Sequence, residues 1–190
     1  MVIPVPDTIV PVNHNQGVNA HPCFVYGSLM DAKVRDTVTR SALDSRIFVV
    51  KASIKGYVRY PYYNEPFPGM IASEDPEATV DGLLIFGLSD QDRYRLDQFE
   101  GAEYPRSTLT VTTLETVPAE WTLLKGHPIL GPQEDYTPGS TLQAYVYTFT
   151  GPLIHLDRTR AWDFEEFKKN HLDNWVMKGS HFAAMVARTD

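Results

Sequence analysis

Residues 23 to 31 constrain this chain more than any other stretch of similar length. Cys23-Phe24-Val25-Tyr26 is an apolar run of strand length, Gly27-Ser28 ends it, and Asp31 opens a helical pattern. A strand that turns so sharply into a helix needs a residue without a side chain at the turn, and there the backbone can come close to a ligand. The first amides of the following helix lack intrahelical partners, so such a junction attracts anions. The chain thus declares a β-then-α start, with a backbone cradle between the two elements.

The rest of the chain supplies strands and helices in alternation. Val34 and Val38, four apart within 31–40, predict a short helix with one thin apolar stripe. Between Arg46 and Tyr60 the apolar residues Ile47, Phe48, Val49, Val50, Ile54, Tyr57, Val58 and Tyr60 predict one long bent strand or two, with Gly56 marking a bulge or a close approach. Pro61, Pro66, Pro68 and Pro76 argue against any regular element in 61–78, which reads as an aromatic loop. Thr79 to Leu88 is a strand. Ser89 with Asp92 forms a capping-box-like start to a helix whose apolar side is Tyr94, Leu96 and Phe99 and which stops at Gly101. Strands follow over 106–115 and 141–150, separated by a Pro- and Gly-rich insertion at about 116–140. On the second of these strands Leu142, Ala144 and Val146 share one face and Tyr145, Tyr147 and Phe149 the other, as in a barrel wall. Phe164, Phe167, His171 and Trp175 predict a last helix over 161–178, with Gly179 as its stop. The order β, α, β, β, α, β, β, α predicts an α+β fold: a mixed sheet closed, or nearly closed, into a small barrel with helices around it.

At 190 residues the length fits one domain, 23–190, preceded by a loose tail at 1–22 that Pro4, Pro6 and Pro11 interrupt. The formal charge is −7 and the Lys and Arg residues are scattered, so no phosphate backbone is expected as a partner. No apolar run reaches the roughly 18 residues of a membrane helix. A single cysteine rules out an internal disulfide, a Cys-based zinc site and a CxxC pair, and fits a reducing, cytoplasmic compartment. The six histidines are dispersed and neither GxGxxG nor GxxxxGK[ST] occurs, so neither a metal nor a nucleotide cofactor is expected. The expected partner is a small molecule, bound by a monomer or a weak homodimer.

Two places carry candidate chemistry. Ser28 sits where a strand meets a helix, but the flanks of a GxSxG elbow are missing, so a nucleophilic role has little support. Asp97, Glu100 and Glu103 crowd a helix C-terminus, where the helix dipole already disfavours negative charge. Glu100 there is either a solvated helix-end residue or a partly buried acid, flanked by Phe99 and Tyr104, whose pKa burial raises far enough to exchange protons near neutrality.

Phe24-Val25-Tyr26-Gly27-Ser28-Leu29-Met30, then Val80-Asp81-Gly82-Leu83-Leu84, then Leu96-Asp97-Gln98-Phe99-Glu100-Gly101 with Tyr104 and Arg106, together resemble the gamma-glutamylcyclotransferase-like family, in its plant and fungal avirulence-induced branch. Trp162-Asp163-Phe164-Glu165-Glu166-Phe167 resembles the C-terminal helix of that branch, so the resemblance spans about 23–178. It implies a small barrel, a substrate cradle formed by Val25, Tyr26, Gly27, Ser28, Leu29 and Met30 with Tyr104 nearby, and Glu100 as the single acid/base. The implied reaction is cyclisation of a γ-glutamyl amide to 5-oxoproline and an amine, an acyl transfer without water. Two other readings fit the same residues. One is a cyclase, lyase or isomerase acting on a secondary metabolite through Glu100, in a pocket built from Tyr60, Tyr62, Tyr63 and the insertion. The other is a family member that binds a small molecule without turnover.

Overall fold

The computed structural model describes residues 21–40, 47–118 and 135–177. Residues 1–20 of the expected 1–22 tail, most of the insertion (119–134) and the stop at Gly179 lie outside the described residues. Seven strands are defined: β1 (Cys23–Val25), β2 (Phe48–Lys55), β3 (Tyr57–Pro61), β4 (Pro68–Ala72), β5 (Thr79–Phe86), β6 (Arg106–Thr113) and β7 (Thr141–Tyr147). Five of them close a barrel in the order β1-β5-β2-β6-β7. All neighbours are antiparallel except β7 and β1, which close the barrel in parallel with Phe24 opposite Val146. The fold is therefore the mixed, closed α+β barrel that the element order implies.

Strand alternation divides the apolar residues into two sets. Phe24, Val50, Ala52, Ile54, Val80, Leu84, Phe86, Val111, Ala144 and Val146 form one buried cluster drawn from all five barrel strands, which fills the barrel. Cys23, Val25, Ile85 and Tyr147, one position out of phase, pack with Val34 and Val38 of helix α1 (Ala32–Thr39) and Leu96 of helix α2 (Asp90–Glu100). The Phe24 ring lies across Gly82, where an added Cβ would stand 2.7 Å from it, so this barrel layer accepts no side chain on β5 at that point.

Of the two readings of 46–60, one long bent strand or two, the structure has two. The run breaks at Gly56, whose φ is +79° and next to which a Cβ would meet nothing within 4 Å, so this glycine marks a corner and not a close approach. β3 then pairs with β4 in a separate two-stranded sheet. The expectation that 61–78 holds no regular element is wrong, and the prolines explain how: Pro61 ends β3 and Pro68 begins β4, end positions where a missing N–H costs the ladder nothing. Between them Gly69, Met70 and Ile71 pair in register with Tyr60, Arg59 and Val58.

α2 begins with the expected capping box. Ser89 Oγ accepts from the Asp92 amide at 3.1 Å, and Asp92 Oδ2 accepts from the Ser89 amide at 2.9 Å. Gly101 ends it. Its inward side differs from the expected one, because Tyr94 is 43% exposed and Arg93 is buried instead. The Arg93 stem packs inward while its guanidinium donates to the Leu88 carbonyl at 2.6 Å and pairs with Asp90. The C-terminal helix is also shorter than predicted. Trp162 is buried and its Nε1 donates to the Pro66 carbonyl at 2.9 Å, which ties the chain down before the helix begins. Asp163 then caps helix α3 (Phe164–Asn170), accepting from the Glu166 amide at 2.7 Å. His171, at φ −130°, leaves the helical range, and the chain is helical again over 172–177.

Candidate functional site

β1 delivers Tyr26 and Gly27 to one end of the barrel, beside the C-terminal end of α2. Ser28–Met30 form one 3-10 turn, the tight turn expected after the strand, and α1 begins at Ala32 under an Asp31 cap. The first hydrogen bond within the turn runs from the Met30 amide to the Gly27 carbonyl at 3.0 Å. The Ser28 and Leu29 amides precede it and are not used by the turn. Gly27 is needed for contact more than for backbone angle: its φ is −122°, but an added Cβ would stand 3.0 Å from Cδ of Pro68.

Beside this turn lies a cavity of about 250 Å³, whose walls include Val25, Tyr26, Gly27, Ser28 and Leu29 on one side and Glu100 and Tyr104 on another. Met30, expected in the cradle, does not line it. The 3-10 turn carries its side chain away, leaving Sδ 3.8 Å from Nη1 of Arg59. That Arg59 also donates to the Tyr26 carbonyl and, at 3.3 Å, to the Asp81 carbonyl, with its guanidinium 4.9 Å over the Trp162 ring. It pins the end of β1 where the cradle starts.

The three acids at the end of α2 separate by partner. Asp97 accepts from Tyr147 Oη at 2.7 Å and pairs with Arg106 at 3.3 Å. Glu103 accepts from Tyr62 Oη at 3.2 Å and faces His155 Nδ1 at 3.4 Å, outside the cavity. Glu100 has neither kind of partner among the described residues. It is half-buried against the cavity, and burial first, then the nearby Asp97 charge, raises its pKa from the ordinary 4.5 to about 8. Burial, and after it the Glu100 charge, also holds Tyr26, Tyr104 and Cys23 protonated, with the Cys23 thiol pushed up to about 12. That thiol is a small buried hydrophobe here.

Of the hydroxyls around the acid, two are committed. Tyr26 Oη donates to the Tyr147 carbonyl at 2.6 Å, and Tyr147 Oη to Asp97. Tyr104 Oη has only a long contact, 3.4 Å, to the Pro68 carbonyl. Among the described residues no histidine lines the cavity to serve Ser28 as a base. Among the described residues no cluster of three or more His, Cys, Asp or Glu could hold a metal ion, and no helix is long and apolar enough to cross a membrane.

Sequence reading missed Tyr147, Phe67, Pro68 and Trp175, which also line the cavity, and Arg59, which holds the cradle. Tyr147 was placed with Tyr145 and Phe149 on one strand face, and Trp175 on a helical stripe, but nothing local said that either stripe borders Glu100. Tyr62 and Tyr63 border a neighbouring groove with His171 and Trp175, whereas Tyr60 lines neither space.

A closed, mixed five-stranded barrel surrounded by helices is the gamma-glutamylcyclotransferase-like fold. The family described as "Gamma-glutamyl cyclotransferase, AIG2-like" matches residues 23–164, and the chain belongs to that family. "AIG2-like protein D" of Arabidopsis thaliana is 26% identical over 166 residues, which cover 87% of this chain and 91% of the relative. "Protein AIG2 C" of the same plant is 27% identical, over 83% of this chain and 78% of its own length. The fold is shared with a solution structure from Arabidopsis thaliana at a TM-score of 0.51, 24% identity, and coverage of 89% of this chain and 83% of that one.

Proposed function

We propose that this protein cleaves a γ-glutamyl amide by cyclising it, releasing 5-oxoproline and an amine. The observation that supports this most is that Glu100, with its pKa raised to about 8, and the Tyr26–Leu29 cradle border one small cavity. The substrate carries its own nucleophile. Its α-ammonium loses one proton to Glu100, the free amine attacks the γ-carbonyl carbon, and the amide C–N bond breaks as Glu100 returns that proton to the leaving nitrogen; the second proton, shed by the attacking nitrogen as it becomes the lactam N–H, passes to the released amine. No water is consumed. An acid raised to about 8 lies much nearer the substrate's α-ammonium than an ordinary carboxyl does, which lowers the cost of exchanging a proton with it. Folding the glutamyl chain for attack supplies the rest, since well-oriented intramolecular reactions reach effective molarities of roughly 10⁵ M or more.

In this reading the Ser28 and Leu29 amides hold the oxyanion that develops on the γ-carbonyl, or the α-carboxylate. Tyr104, with its loose hydroxyl, is the third donor to the substrate, whereas Tyr26 and Tyr147 keep their protons on protein acceptors and shape the floor. The test is mass-spectrometric detection of 5-oxoproline after incubation with glutathione, γ-glutamyl amino acids, γ-glutamyl-ε-lysine and the γ-glutamyl amide of an uncharged amine. Formation from any of them, lost in Glu100→Gln, supports the reading. Its absence from all of them leaves a binding protein or a different proton-transfer enzyme.

A further inference from the structure

We propose that the amine released is apolar, an aryl- or branched alkyl-amine without a carboxylate, and that Phe67, Phe99 and Trp175 are its binding surface. This rests on the γ-glutamyl reading above and adds the half of the substrate that reading leaves open. The cavity is graded. Its inner wall (Tyr26, Ser28, Leu29, Tyr104, Tyr147) is buried, and it is there that the amides and hydroxyls converge near Glu100. Phe67, Phe99 and Trp175 are only half-buried and form the outer part. They make one aromatic wall, with the Trp175 ring centroid 5.4 Å from Phe67 and 6.2 Å from Phe99.

The glutamyl head, with its amine, carboxylate and reacting carbonyl, needs the polar floor, so the leaving amine must point at the rings. Among the described residues that line the cavity, Glu100 is the only charged one. A carboxylate placed directly on the leaving nitrogen's substituent, as in γ-glutamylglycine, would meet aromatic faces and, among the described residues that line the cavity, no cation, and an uncompensated charge taken from water is strongly disfavoured. A flat or branched apolar amine instead gains ring contacts at ordinary stacking distances. About 250 Å³ lies just below the roughly 300 Å³ at which small-molecule pockets begin, so a glutamyl head leaves little room for a long amine. The adjoining groove, which shares Trp175, is lined by Glu65, Asp157, Arg160 and His171, so an apolar amine stays on the aromatic wall and does not extend into it.

The experiment compares kcat/KM of the full chain for γ-glutamyl-phenethylamide and for γ-glutamylglycine, read as 5-oxoproline. The amide of the apolar amine is expected to be favoured by at least about tenfold, the scale of apolar-pocket discrimination. Trp175→Arg, which puts a cation on the leaving side, is expected to reverse the order. A thermal melt confirms that the variant is folded; if it is not, the wild-type ratio alone decides. Equal rates, or preference for γ-glutamylglycine, overturn the amine assignment while the γ-glutamyl reading stands. No 5-oxoproline from either substrate overturns both.

Discussion

Glu100→Gln separates chemistry from packing, because Gln keeps the volume of Glu but cannot take up and return a proton. It is expected to cost roughly 10² to 10⁴ in the rate of 5-oxoproline formation, the usual weight of a general acid/base. The raised pKa also makes a stability prediction independent of any substrate. A carboxyl whose folded pKa lies above its unfolded one is bound more tightly to its proton in the folded state. Its burial therefore costs nothing below pH 4.5, costs progressively more as pH rises, and reaches its full cost above about pH 8. At about 1.4 kcal/mol per pH unit, full burial would cost roughly 3 kcal/mol at pH 7 and about 5 at pH 9. Glu100 keeps some contact with solvent, which reduces the first figure to about 2 kcal/mol. The Gln variant carries no such cost. Its Tm is expected to equal that of the wild type near pH 4.5, to exceed it by about 4–8 °C at pH 7, and to exceed it by more at pH 9. Paired melts from pH 4.5 to 9 read this directly. Parallel Tm curves for the two proteins would show that the carboxyl is solvated, and full turnover by the variant would remove it from the mechanism.

Gly27→Val is expected to abolish 5-oxoproline formation and lower Tm, because even its Cβ meets Pro68 at 3.0 Å, whereas Ser28→Ala keeps most activity if the substrate donors are main-chain amides. An inactive but folded Ser28→Ala protein that still binds substrate would return the hydroxyl to the mechanism. Tyr147→Phe removes the 2.7 Å bond to the Asp97 carboxylate and is expected to destabilise by about 1–3 kcal/mol, read as urea midpoint. Cys23, 2% exposed and with its thiol pushed up to about 12, is expected to resist a thiol reagent at pH 7.5 until denaturant is added; labelling of the native protein at the rate of a free thiol would contradict its burial.

The local parts of this molecule were legible because they rest on local rules. The Ser89–Asp92 capping box, the stop at Gly101 and the two-faced β7 follow from residues a few positions apart, and they appear as read. β4 was hidden because proline counts against a strand only in its interior, and here the prolines occupy the two ends of a hairpin, a register that sequence alone does not fix. The start of α3 was misplaced by two tertiary contacts of the Trp162 indole, to the Pro66 carbonyl and to Arg59.

The site divides along the same line. The crowding of Asp97, Glu100 and Glu103 signalled an anomaly, but not which acid would remain unpartnered. That depends on where distant hydroxyls and cations arrive: Tyr147 and Arg106 reach Asp97 from β7 and β6, while Tyr62 and His155 reach Glu103 from beyond β3 and from the chain after β7. Glu100 stands three residues from each of the other two, on the last turn of α2, and it is there that the cradle comes past. The proton-transfer role proposed for it rests on that difference: the fold supplies counterparts to its neighbours and, among the described residues, none to Glu100, while burial raises its pKa to where a carboxyl exchanges protons near neutrality.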